Sequence, residues 1–510
     1  MQRPDRYNAR MSQETELKLS LPKRAVAALR RHPLVAGAQR QGNAQTLDNT
    51  YYDTVDLALK ARKVAVRTRR YGRTWLQTVK CAARSTGGLS QRPEWEGPFD
   101  GAFDFSAVDD ATTARLLARH QDALVPVFTT RFRRETRLHR NAAGSEILIM
   151  IDTGEVLVGE HSAPICEVEL ELRSGTPTDL LELACELART LPLIPADLSK
   201  AERGYRLFLG QSPRPQRAEA ATIDPAMNLV DAFRELAFSA LRQWQANAVG
   251  AMDHEDPEFI HQLRVALRRL RSLLRLFAPA LPPGFVDDWN EQLRDTANRF
   301  GDARDLDVLH EELLAPVIPD GLHERPGLPR LLEIVARARD DARAQAARGL
   351  DGAGQGRLML AFTLALHTLP SNSLIVAADL TTFARLQLGR LRKKARRRYG
   401  DATSLIPTRL HALRIALKQL RYGIEFFAPL FPARALKRYQ DTLARAQTTL
   451  GFLNDVDVAR ERLEAWAGDD TELYAAVNFV TGWHGPRYAR LRRRTLQEVE
   501  PLLWGKTPWA

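Results

Sequence analysis

The feature that most constrains the fold of this chain is an internal repeat in its second half. The segment EFIHQLRVALRRLRSLLRLFAPAL at 258–281 matches TRLHALRIALKQLRYGIEFFAPLF at 408–431 without a gap, at an offset of 150 residues. The same offset aligns FGDARDLDVL at 300–309 with LGFLNDVDVA at 450–459. An ungapped register of this length indicates that a structural unit has been duplicated.

The repeated region has the periodicity of helices. From about residue 223 onward, apolar residues recur every three to four positions in long segments rich in Ala, Leu and Arg. This spacing is typical of amphipathic helices that pack into bundles. We therefore predict an all-α domain over 223–510, in which two similar bundles, about 223–372 and 373–510, are related by pseudo-symmetry.

The first part of the chain follows a different period. Segments such as VAVRTRR at 64–70 and ICEVELEL at 165–172 alternate, and a period of two indicates strands with two chemically distinct faces. Helical stretches interrupt these strands, so we predict an α+β domain over 1–210. The polar, Pro-containing stretch at 211–222 has no apolar period and is interpreted as a linker.

The composition excludes several classes of protein. Lys and Arg number 74 against 62 Asp and Glu, and the net charge of +12 favours polyanionic partners. The sequence lacks an apolar run of the roughly 18–20 residues that a membrane span needs, and we expect no signal peptide. Three widely spaced cysteines do not form the pattern of a disulfide framework or of a zinc site. We therefore expect a cytoplasmic protein.

The charges on the strands are segregated by sign. The sets that share a strand face are Glu14 with Glu16, Arg67 with Arg69, Glu94 with Glu96, and Glu167 with Glu169 and Glu171. A solvent-exposed sheet face would explain any one strand, although exposed faces usually mix signs. Strands closed into a barrel would instead give a lumen with an acidic and a basic wall. Carboxylates bind Mg²⁺ or Mn²⁺ and Arg and Lys bind phosphate, so this pattern indicates chemistry at a phosphoanhydride.

Other phosphate and hydrolase motifs are missing from the sequence, which contains no P-loop, no GxSxG and no HExxH. An ordered series of elements is present instead: Glu14-Thr-Glu16-Leu-Lys18, TYYDT (50–54), VRTR (66–69), Lys80, RPEWE (92–96), Arg134, MIDTG (150–154), CEVELEL (166–172) and SKAERGY (199–205). This series, which covers 10–208, resembles the CYTH family, the triphosphate tunnel metalloenzymes. The resemblance implies a closed, antiparallel, eight-stranded barrel with helices.

The resemblance also implies a role for each matching residue. The catalytic residues would be Glu14, Glu16, Lys18 and Lys80. The residues that hold Mg²⁺ or Mn²⁺ would be Glu14, Glu16, Asp152, Glu167, Glu169 and Glu171. The residues that bind the triphosphate would be Lys18, Arg67, Arg69, Lys80, Arg131, Arg134, Lys200 and Arg203. Strand parity leaves the choice open between Arg134 and the pair Arg131 and Arg133. Which two of the three glutamates in CEVELEL contact the metal is also open.

A stripe of basic residues runs along one face of each copy of the repeated helix, at spacings of three and four residues. Its members are His261, Arg264, Arg268, Arg271 and Arg275 in the first copy and His411, Arg414, Lys418 and Arg421 in the second. A solvated basic face would explain one such helix. Glu is almost absent from both stripes, however, so ion pairs along the helix do not account for them. We expect phosphate contacts here, with a structural role as the alternative for the histidines.

The pattern HxxRVxxRRLR, followed by FGDARDLDVL and then repeated, resembles the CHAD domain over roughly 225–500. That resemblance implies two pseudo-symmetric four-helix bundles with a basic central groove that binds inorganic polyphosphate. The densest basic run, LRKKARRRYG at 391–400, would also suit nucleic acid. Only Tyr399 is an aromatic residue near this run, which disfavours RNA.

Together these features predict a metal-dependent inorganic triphosphatase that cleaves tripolyphosphate to diphosphate and phosphate. The helical domain would bind inorganic polyphosphate and hold the enzyme on polyphosphate granules, with no membrane partner. The alternatives are a nucleoside or thiamine triphosphatase, an adenylate cyclase, and a polyphosphate-binding protein without activity.

Overall fold

A computed structural model describes most of the chain. The described residues are 11–81, 85–253, 256–321, 327–350, 353–371 and 379–509. The chain divides into two compact units. The tunnel unit contains Met1–Arg214 and Asp351–Thr368, and the helical unit contains Pro215–Leu350 and Leu369–Ala510.

Eight antiparallel strands form the barrel of the tunnel unit. They are β1 (Met11–Ser20), β2 (Gln45–Asp53), β3 (Val64–Tyr71), β4 (Thr74–Cys81), β5 (Leu89–Pro98), β6 (Val125–Arg140), β7 (Glu146–Val158) and β8 (His161–Ser174). Their order is β1–β8–β7–β6–β2–β3–β4–β5, and β5 pairs with β1 to close the barrel. The predicted eight-stranded barrel is therefore confirmed. Short strands at Gln39–Arg40, Ser85–Thr86 and Ile194–Pro195 extend the sheet.

Six short helices accompany the barrel. They are α1 (Val26–Arg31), α2 (Pro33–Ala36), α3 (Ala58–Ala61), α4 (Ala111–His120), α5 (Pro177–Ala188) and α6 (Lys200–Phe208), with 3₁₀ turns at Lys23–Ala25 and Gln121–Ala123. Because side chains alternate along a strand, each barrel strand buries an apolar set outside the lumen. Leu17 and Leu19 of β1, for example, pack with Leu180 and Leu187 of α5.

From Leu229 onward the described chain is helical apart from short connections. Its helices are α7 (Leu229–Asp253), α8 (Pro257–Phe277), α9 (Phe285–Asn298), α10 (Gly301–Val308), α11 (Ile318–Gly321), α12 (Gly327–Leu350), α13 (Ala353–Thr368), α14 (Leu380–Ala402), α15 (Pro407–Phe426), α16 (Ala433–Ala467) and α17 (Thr471–Trp504). A π-helical turn at Leu309–Leu314 follows α10, and 3₁₀ turns lie at Ala278–Ala280 and Ala428–Leu430. Among the described residues, no helix combines the length and apolarity that a membrane crossing requires.

The repeat is visible in the order of these helices. Helices α8 and α15, each followed by a 3₁₀ turn, correspond at the offset of 150 residues. The first copy then has two helices, α9 and α10, where the second copy has the single long helix α16. The all-α class of this region is therefore confirmed.

Helix α13 lies between the two repeats in sequence but belongs to the tunnel unit. Its Leu360 is fully buried in one core with Leu17 and Leu19. A Cβ atom on its Gly356 would lie only 1.8 Å from the carbonyl oxygen of Leu193, so this helix approaches the chain closely at a residue without a side chain. The helical period identifies α13 as a helix, but it carries no information about which core the helix joins.

Candidate functional site

A cavity of about 1450 Å³ runs through the barrel. Its charged lining residues include Lys200 of α6 and, on the barrel strands, Glu14, Glu16, Glu94, Glu96, Glu169 and Glu171 together with Lys18, Arg67, Arg69, Lys80, Arg92 and Arg134. The strand residues face inward because side chains alternate along a strand, and neighbouring strands place unlike charges opposite one another. The register pairs Lys18 with Glu169 across β1 and β8, and Lys80 with Glu94 across β4 and β5.

The most buried part of this site contains three carboxylates. One oxygen each from Asp152, Glu167 and Glu169 lies within 4.8 Å of the others, and all three residues are buried. Lys200 donates hydrogen bonds to all three, at 2.7 Å to Asp152 and 2.9 Å to Glu169, and it also contacts Glu167. Burial disfavours the charged form of Glu169, but Lys200, Arg134 and Lys18 hold its pKa well below its usual range.

The start of α6 positions Lys200. Ser199 and Glu202 form a capping box, so the helix begins at Lys200 and its side chain is only 6% exposed. Gly204 lets α6 approach β6, because a Cβ atom there would lie 2.0 Å from the ring of Phe128. Arg203 follows in the same helix and donates to Glu167 at 3.1 Å. The SKAERGY element therefore seals one side of the carboxylate cluster.

Strand β6 resolves the choice that parity left open. Arg134 points into the barrel, where its guanidinium donates to both oxygens of Asp152, at 2.8 and 2.6 Å, and also contacts Glu169. Arg131 and Arg133 have the opposite parity, and their side chains are 64% and 61% exposed. Arg131 pairs with Asp48 at 2.7 Å and is not among the residues that line the lumen. The structure therefore places Arg134, and not Arg131, in the site.

A second charged group joins β1, β4 and β5. Lys80 contacts Glu14 at 2.8 Å and Glu94 at 2.9 Å, while Arg92 donates to Glu14 at 3.0 Å and contacts Glu16. Burial opposes the charge of Arg92, but Glu16 and Glu14 raise its pKa. Arg92 is the first residue of the RPEWE element, but the sequence analysis did not predict a role for it.

Glu94 and Glu96 were also missed as site residues, although their alternation around Trp95 was visible in the sequence. Trp95 is 3% exposed and packs on the outer side of the barrel, so its neighbours in the strand must point inward. Glu94 contacts Lys80, and Glu96 accepts a hydrogen bond from Thr78 at 3.1 Å. A buried Trp between two carboxylates was the signal that these residues face the lumen.

Lys18 connects the two charged groups. Its ammonium lies 3.6 Å from both Glu16 and Glu169, and the residue is buried. Burial lowers and the surrounding glutamates raise the pKa of Lys18, with a net increase above its ordinary value. The predicted residues Glu14, Glu16, Lys18 and Lys80 therefore lie in one connected network.

The opposite wall holds cations that have few acidic partners. Arg69 donates to the amide oxygen of Asn49 at 2.7 Å, and burial and the charge of Arg67 lower the pKa of Arg69 to about 10. The nearest carboxylate to Arg67 is Glu94, at 3.7 Å, and its buried Nε has no partner among the described residues. Tyr51 hydrogen-bonds Arg67 and is a further lining residue that sequence reasoning missed. Arg67 and Arg69 therefore face the lumen and retain N–H donors that are available to a ligand.

Glu171 stands apart from the other two glutamates of CEVELEL. Its ion pair is with Arg173 at 3.5 Å, near the rim, and burial raises the pKa of Glu171. Glu167 and Glu169 share the cluster with Asp152 instead. The donor set of that cluster consists of hard carboxylate oxygens, so it fits Mg²⁺ or Mn²⁺ better than a softer metal.

In the helical unit, the basic stripes of the two copies converge. Burial of Lys418, together with the charges of Arg414 and Arg268, lowers its pKa to about 7. Burial, Arg304, Arg268 and Lys418 likewise lower the pKa of His261 to about 4. We call the group formed by His261, Arg264, Arg268, Arg304, Arg414 and Lys418 the cationic cluster.

Several guanidinium donors of the cationic cluster lack partners. The buried Nε atoms of Arg264, Arg268 and Arg414 form no hydrogen bond within the described part of the chain. Arg264 donates from Nη1 to the carbonyl oxygen of Ala297 at 3.1 Å, and Arg414 lies 4.0 Å from Asp455. Burial is the largest cause that lowers the pKa values of Arg264 and Arg414, and the nearby carboxylates of Asp305 and Asp455 offset it only in part.

The other predicted members of the stripes have neutral or acidic partners. Arg271 and Arg275 both donate to Asn290, at 3.3 and 3.1 Å. Arg421 pairs with Glu425 at 2.7 Å, and His411 contacts the side chain of Asn454. The two histidines are therefore not equivalent, because His261 lies among cations and His411 is exposed beside an amide.

Both units match known domain families. The model of the CYTH domain matches residues 12–205, and the model of the CHAD domain matches residues 235–464. The chain belongs to the proteins that join a CYTH domain to a CHAD domain, as the sequence motifs predicted.

Two relatives show how far the likeness extends. The inorganic triphosphatase of Haemophilus influenzae is 30% identical over 203 residues, which cover 39% of this chain and 55% of that protein. The match thus spans about half the length of the curated relative. The crystal structure of the CHAD domain from the plant Ricinus communis is 30% identical, with a TM-score of 0.50, and covers 58% of this chain and 99% of that one.

Proposed function

We propose that the tunnel unit is a metal-dependent triphosphatase that hydrolyses tripolyphosphate to diphosphate and phosphate. The observation that carries this proposal is the buried carboxylate cluster set among Lys and Arg side chains inside one closed barrel. A lumen that only bound an anion would not need carboxylates that repel it. The CYTH match and the name of the Haemophilus influenzae relative support the same activity.

The two walls of the lumen have different tasks in this proposal. Arg67 and Arg69 offer guanidinium N–H groups to phosphate oxygens, and neither forms a close ion pair. Lys18, held between Glu16 and Glu169, neutralises charge at the middle of the bound chain. Because these groups are buried and held in place by hydrogen bonds or ion pairs, catalysis rests on positioning and on preorganised electrostatics.

Asp152, Glu167 and Glu169 would hold Mg²⁺ or Mn²⁺ through their carboxylate oxygens. A bound ion of this class screens phosphate charge and lowers the pKa of a coordinated water. Lys200 and Arg134 donate to the same oxygens. When the carboxylates bind a metal, these two cations become available to the phosphate, so the binding of metal and triphosphate is cooperative.

The lining favours an inorganic chain over a nucleotide. Among the described lining residues, the aromatic rings are those of Tyr51, Phe132 and Tyr205. All three belong to the core cluster of the barrel, and Tyr51 already stacks on Phe128, with ring centroids 4.6 Å apart. A base would therefore find charged side chains and no free ring to stack on.

A phosphate-release panel tests the activity and the substrate. It compares tripolyphosphate, ATP, thiamine triphosphate and long polyphosphate, each with Mg²⁺, Mn²⁺ or a chelator. Asp152→Asn should abolish metal-dependent release, whereas Glu155→Gln should not, because Glu155 faces Arg131 across the outer surface of the barrel. Preferred cleavage of ATP or thiamine triphosphate would replace the substrate, and no release from any substrate would refute the enzyme.

We also propose that the helical unit binds inorganic polyphosphate at the cationic cluster and thereby holds the enzyme on polyphosphate granules. The unpartnered Nε atoms of Arg264, Arg268 and Arg414 support this, because a chain of phosphates supplies an acceptor to each. The match to the CHAD domain is consistent with a binding surface for polyphosphate that this chain shares with other CHAD domains.

Binding of long polyphosphate to the full chain tests this second proposal. Arg268→Ala and Arg414→Ala should each weaken binding about tenfold, since each removes a contact from a desolvated charge. Arg337→Ala is the matched control, because Arg337 is 80% exposed and already paired with Glu333. Displacement by RNA of equal charge as readily as by polyphosphate would contradict the proposal.

A further inference from the structure

A second cavity in the helical unit, of about 550 Å³, lies between α14 and the segment that follows α17. It is lined by Arg385, Gly389, Arg392, Lys393, Arg396, Thr507 and Trp509. We call it the α14 pocket. The charged residues that line it, within the described part of the chain, are all basic. Its residues are separate from those of the cationic cluster.

The geometry of α14 explains how the pocket forms. Positions 385, 389, 392 and 396 are separated by four, three and four residues, so they share one face of the helix. Gly389 lies in the middle of this face, and a Cβ atom added there would meet nothing within 4 Å. The cations therefore surround an open floor where a ligand can approach the helix closely.

Two of the four cations have a structural role. Arg392 donates from Nε to the carbonyl oxygen of Leu502 at 3.2 Å, and Arg396 donates from Nε to that of Leu503 at 2.6 Å. These carbonyls lie in the last turn of α17, where helical partners are lacking. Each of these guanidinium groups therefore uses one edge to cap the last turn of α17. Further N–H groups of Arg396 remain available to a ligand.

The other two cations have no such role. Neither Arg385 nor Lys393 forms an ion pair or a side-chain hydrogen bond with another described residue, and both are exposed at the pocket. Burial and the neighbouring charge of Arg396 lower the pKa of Arg392, and no acidic residue is among the described residues that line the pocket, so like charges face one another there. A multiply charged anion would relieve this repulsion, and a singly charged carboxylate would relieve it only in part.

We propose that the α14 pocket binds a short condensed phosphate, with diphosphate as the simplest member of the class. Arginine forks match phosphate oxygens in pairs, and a compact group of four cations suits a ligand whose charge is concentrated on few atoms. This proposal rests on the proposed function only in that hydrolysis in the tunnel unit would release diphosphate. Binding of diphosphate to the α14 pocket is measured without any turnover.

Trp509 provides a local readout, because it lines this pocket and neither of the other two sites. Full-length protein is labelled with fluorotryptophan, the Trp509 resonance is assigned with Trp509→Phe, and inorganic diphosphate is titrated. We expect a saturable shift of this resonance in the wild-type chain. The variant R385A/K393A should weaken the titration at least tenfold while leaving tripolyphosphate turnover and long-polyphosphate binding unchanged.

The control is R390A/R397A, which removes the same charge from the same helix at two exposed positions outside the pocket. We expect less than a twofold change from it. Equal weakening by both double variants, or no shift of the Trp509 resonance with diphosphate, would overturn the proposal. Displacement of diphosphate by a single-stranded oligonucleotide at equal phosphate concentration would overturn it in favour of nucleic acid.

Discussion

The tunnel and the cationic cluster hold buried lysines in opposite electrostatic states. Lys200 in the tunnel contacts three carboxylates, which raise its pKa against the effect of burial. Lys418 in the cationic cluster has arginines beside it, and burial together with their charge lowers its pKa to about 7. The tunnel holds its cations in close contacts with carboxylates, whereas the acidic partner of Arg414 in the cationic cluster, Asp455, lies at 4.0 Å, so the difference is how closely acidic partners are built into each site.

Under the proposed functions, this difference separates a site that hydrolyses a phosphate chain from a site that only binds one. In the tunnel, carboxylates compete with phosphate for the cations, and this cost is justified when the carboxylates also bind a metal. In the cationic cluster, buried guanidinium donors without acceptors are costly in the absence of a ligand, so a polyanion gains affinity by supplying those acceptors. The following predictions test the contrast from the largest expected effect to the smallest.

Glu169→Gln should have the largest effect, because this carboxylate is shared by Lys18, Arg134 and Lys200. The change leaves buried cations uncompensated and should lower the free energy of unfolding of the tunnel unit by about 3–5 kcal/mol. Metal-dependent phosphate release should fall roughly 10²–10³-fold. Thermal unfolding and tripolyphosphate turnover measure the two effects, and polyphosphate binding should be unchanged.

The matched control is Glu171→Gln on the same strand, since Glu171 pairs only with the exposed Arg173 among the described residues. We expect a change in turnover of less than about threefold. If Glu171→Gln were as damaging as Glu169→Gln, the metal would be held nearer the rim, and Asp152 and Glu167 would lose their proposed role.

Gly356→Ala should have the next largest effect and should act on the tunnel unit alone. The added methyl group would lie 1.8 Å from the Leu193 carbonyl oxygen, so α13 must shift. We expect a loss of about 1–3 kcal/mol of stability and a lower rate of tripolyphosphate hydrolysis. Gly354→Ala in the same helix meets nothing within 4 Å and should be neutral or stabilising by up to about 1 kcal/mol.

A loss of polyphosphate binding by Gly356→Ala, with normal turnover, would contradict the assignment of α13 to the tunnel unit. Thermal unfolding, turnover and polyphosphate binding are therefore measured on both glycine variants.

How much of the molecule was predictable depends on whether a local pattern carries the information. The strands and the helical repeat follow from periods of two and 3.6 residues and from an offset of 150, which are local or self-consistent signals, and the closed barrel was implied by the resemblance to the CYTH family. The placement of α13 depends on a long-range contact between Leu360 and the core around Leu17, which no period encodes.

The same distinction applies to the site. Residues on short alternating strands, such as Glu16 and Lys18, were predicted because parity and motif agree. Arg131 and Arg134 are both basic and only three residues apart, so composition did not separate them, and the register of β6 did. Arg304 joins the cationic cluster through the fold of α10 against α8, so the spacing of the basic stripe did not include it.

The pH dependence of polyphosphate binding tests the cationic cluster. Lys418 is charged below its pKa of about 7 and neutral above it, so affinity should fall about three- to tenfold between pH 6 and pH 8. The stability of the unliganded protein should change with pH in the opposite direction. Because the pKa of Lys418 is lower in the folded than in the unfolded state, its contribution to the free energy of unfolding rises with pH between about 7 and the ordinary pKa of lysine. Lys418→Arg should remove the pH dependence of binding, and an unchanged profile would refute the assignment.

Arg421→Ala should have the smallest effect on polyphosphate affinity. Arg421 belongs to the same predicted stripe as Arg414, but Glu425 already neutralises it at 2.7 Å and Gln447 accepts from it at 3.1 Å. A phosphate chain would have to displace Glu425, so we expect less than a twofold change, against about tenfold for Arg414→Ala. Glu425→Gln sharpens the test, because it frees Arg421 and should raise affinity; thermal unfolding is measured in parallel, since Glu425 also pairs with the buried Arg269 at 2.9 Å. If Arg421→Ala and Arg414→Ala weakened binding equally, the net charge of the helix, and not a guanidinium donor without an acceptor, would determine affinity.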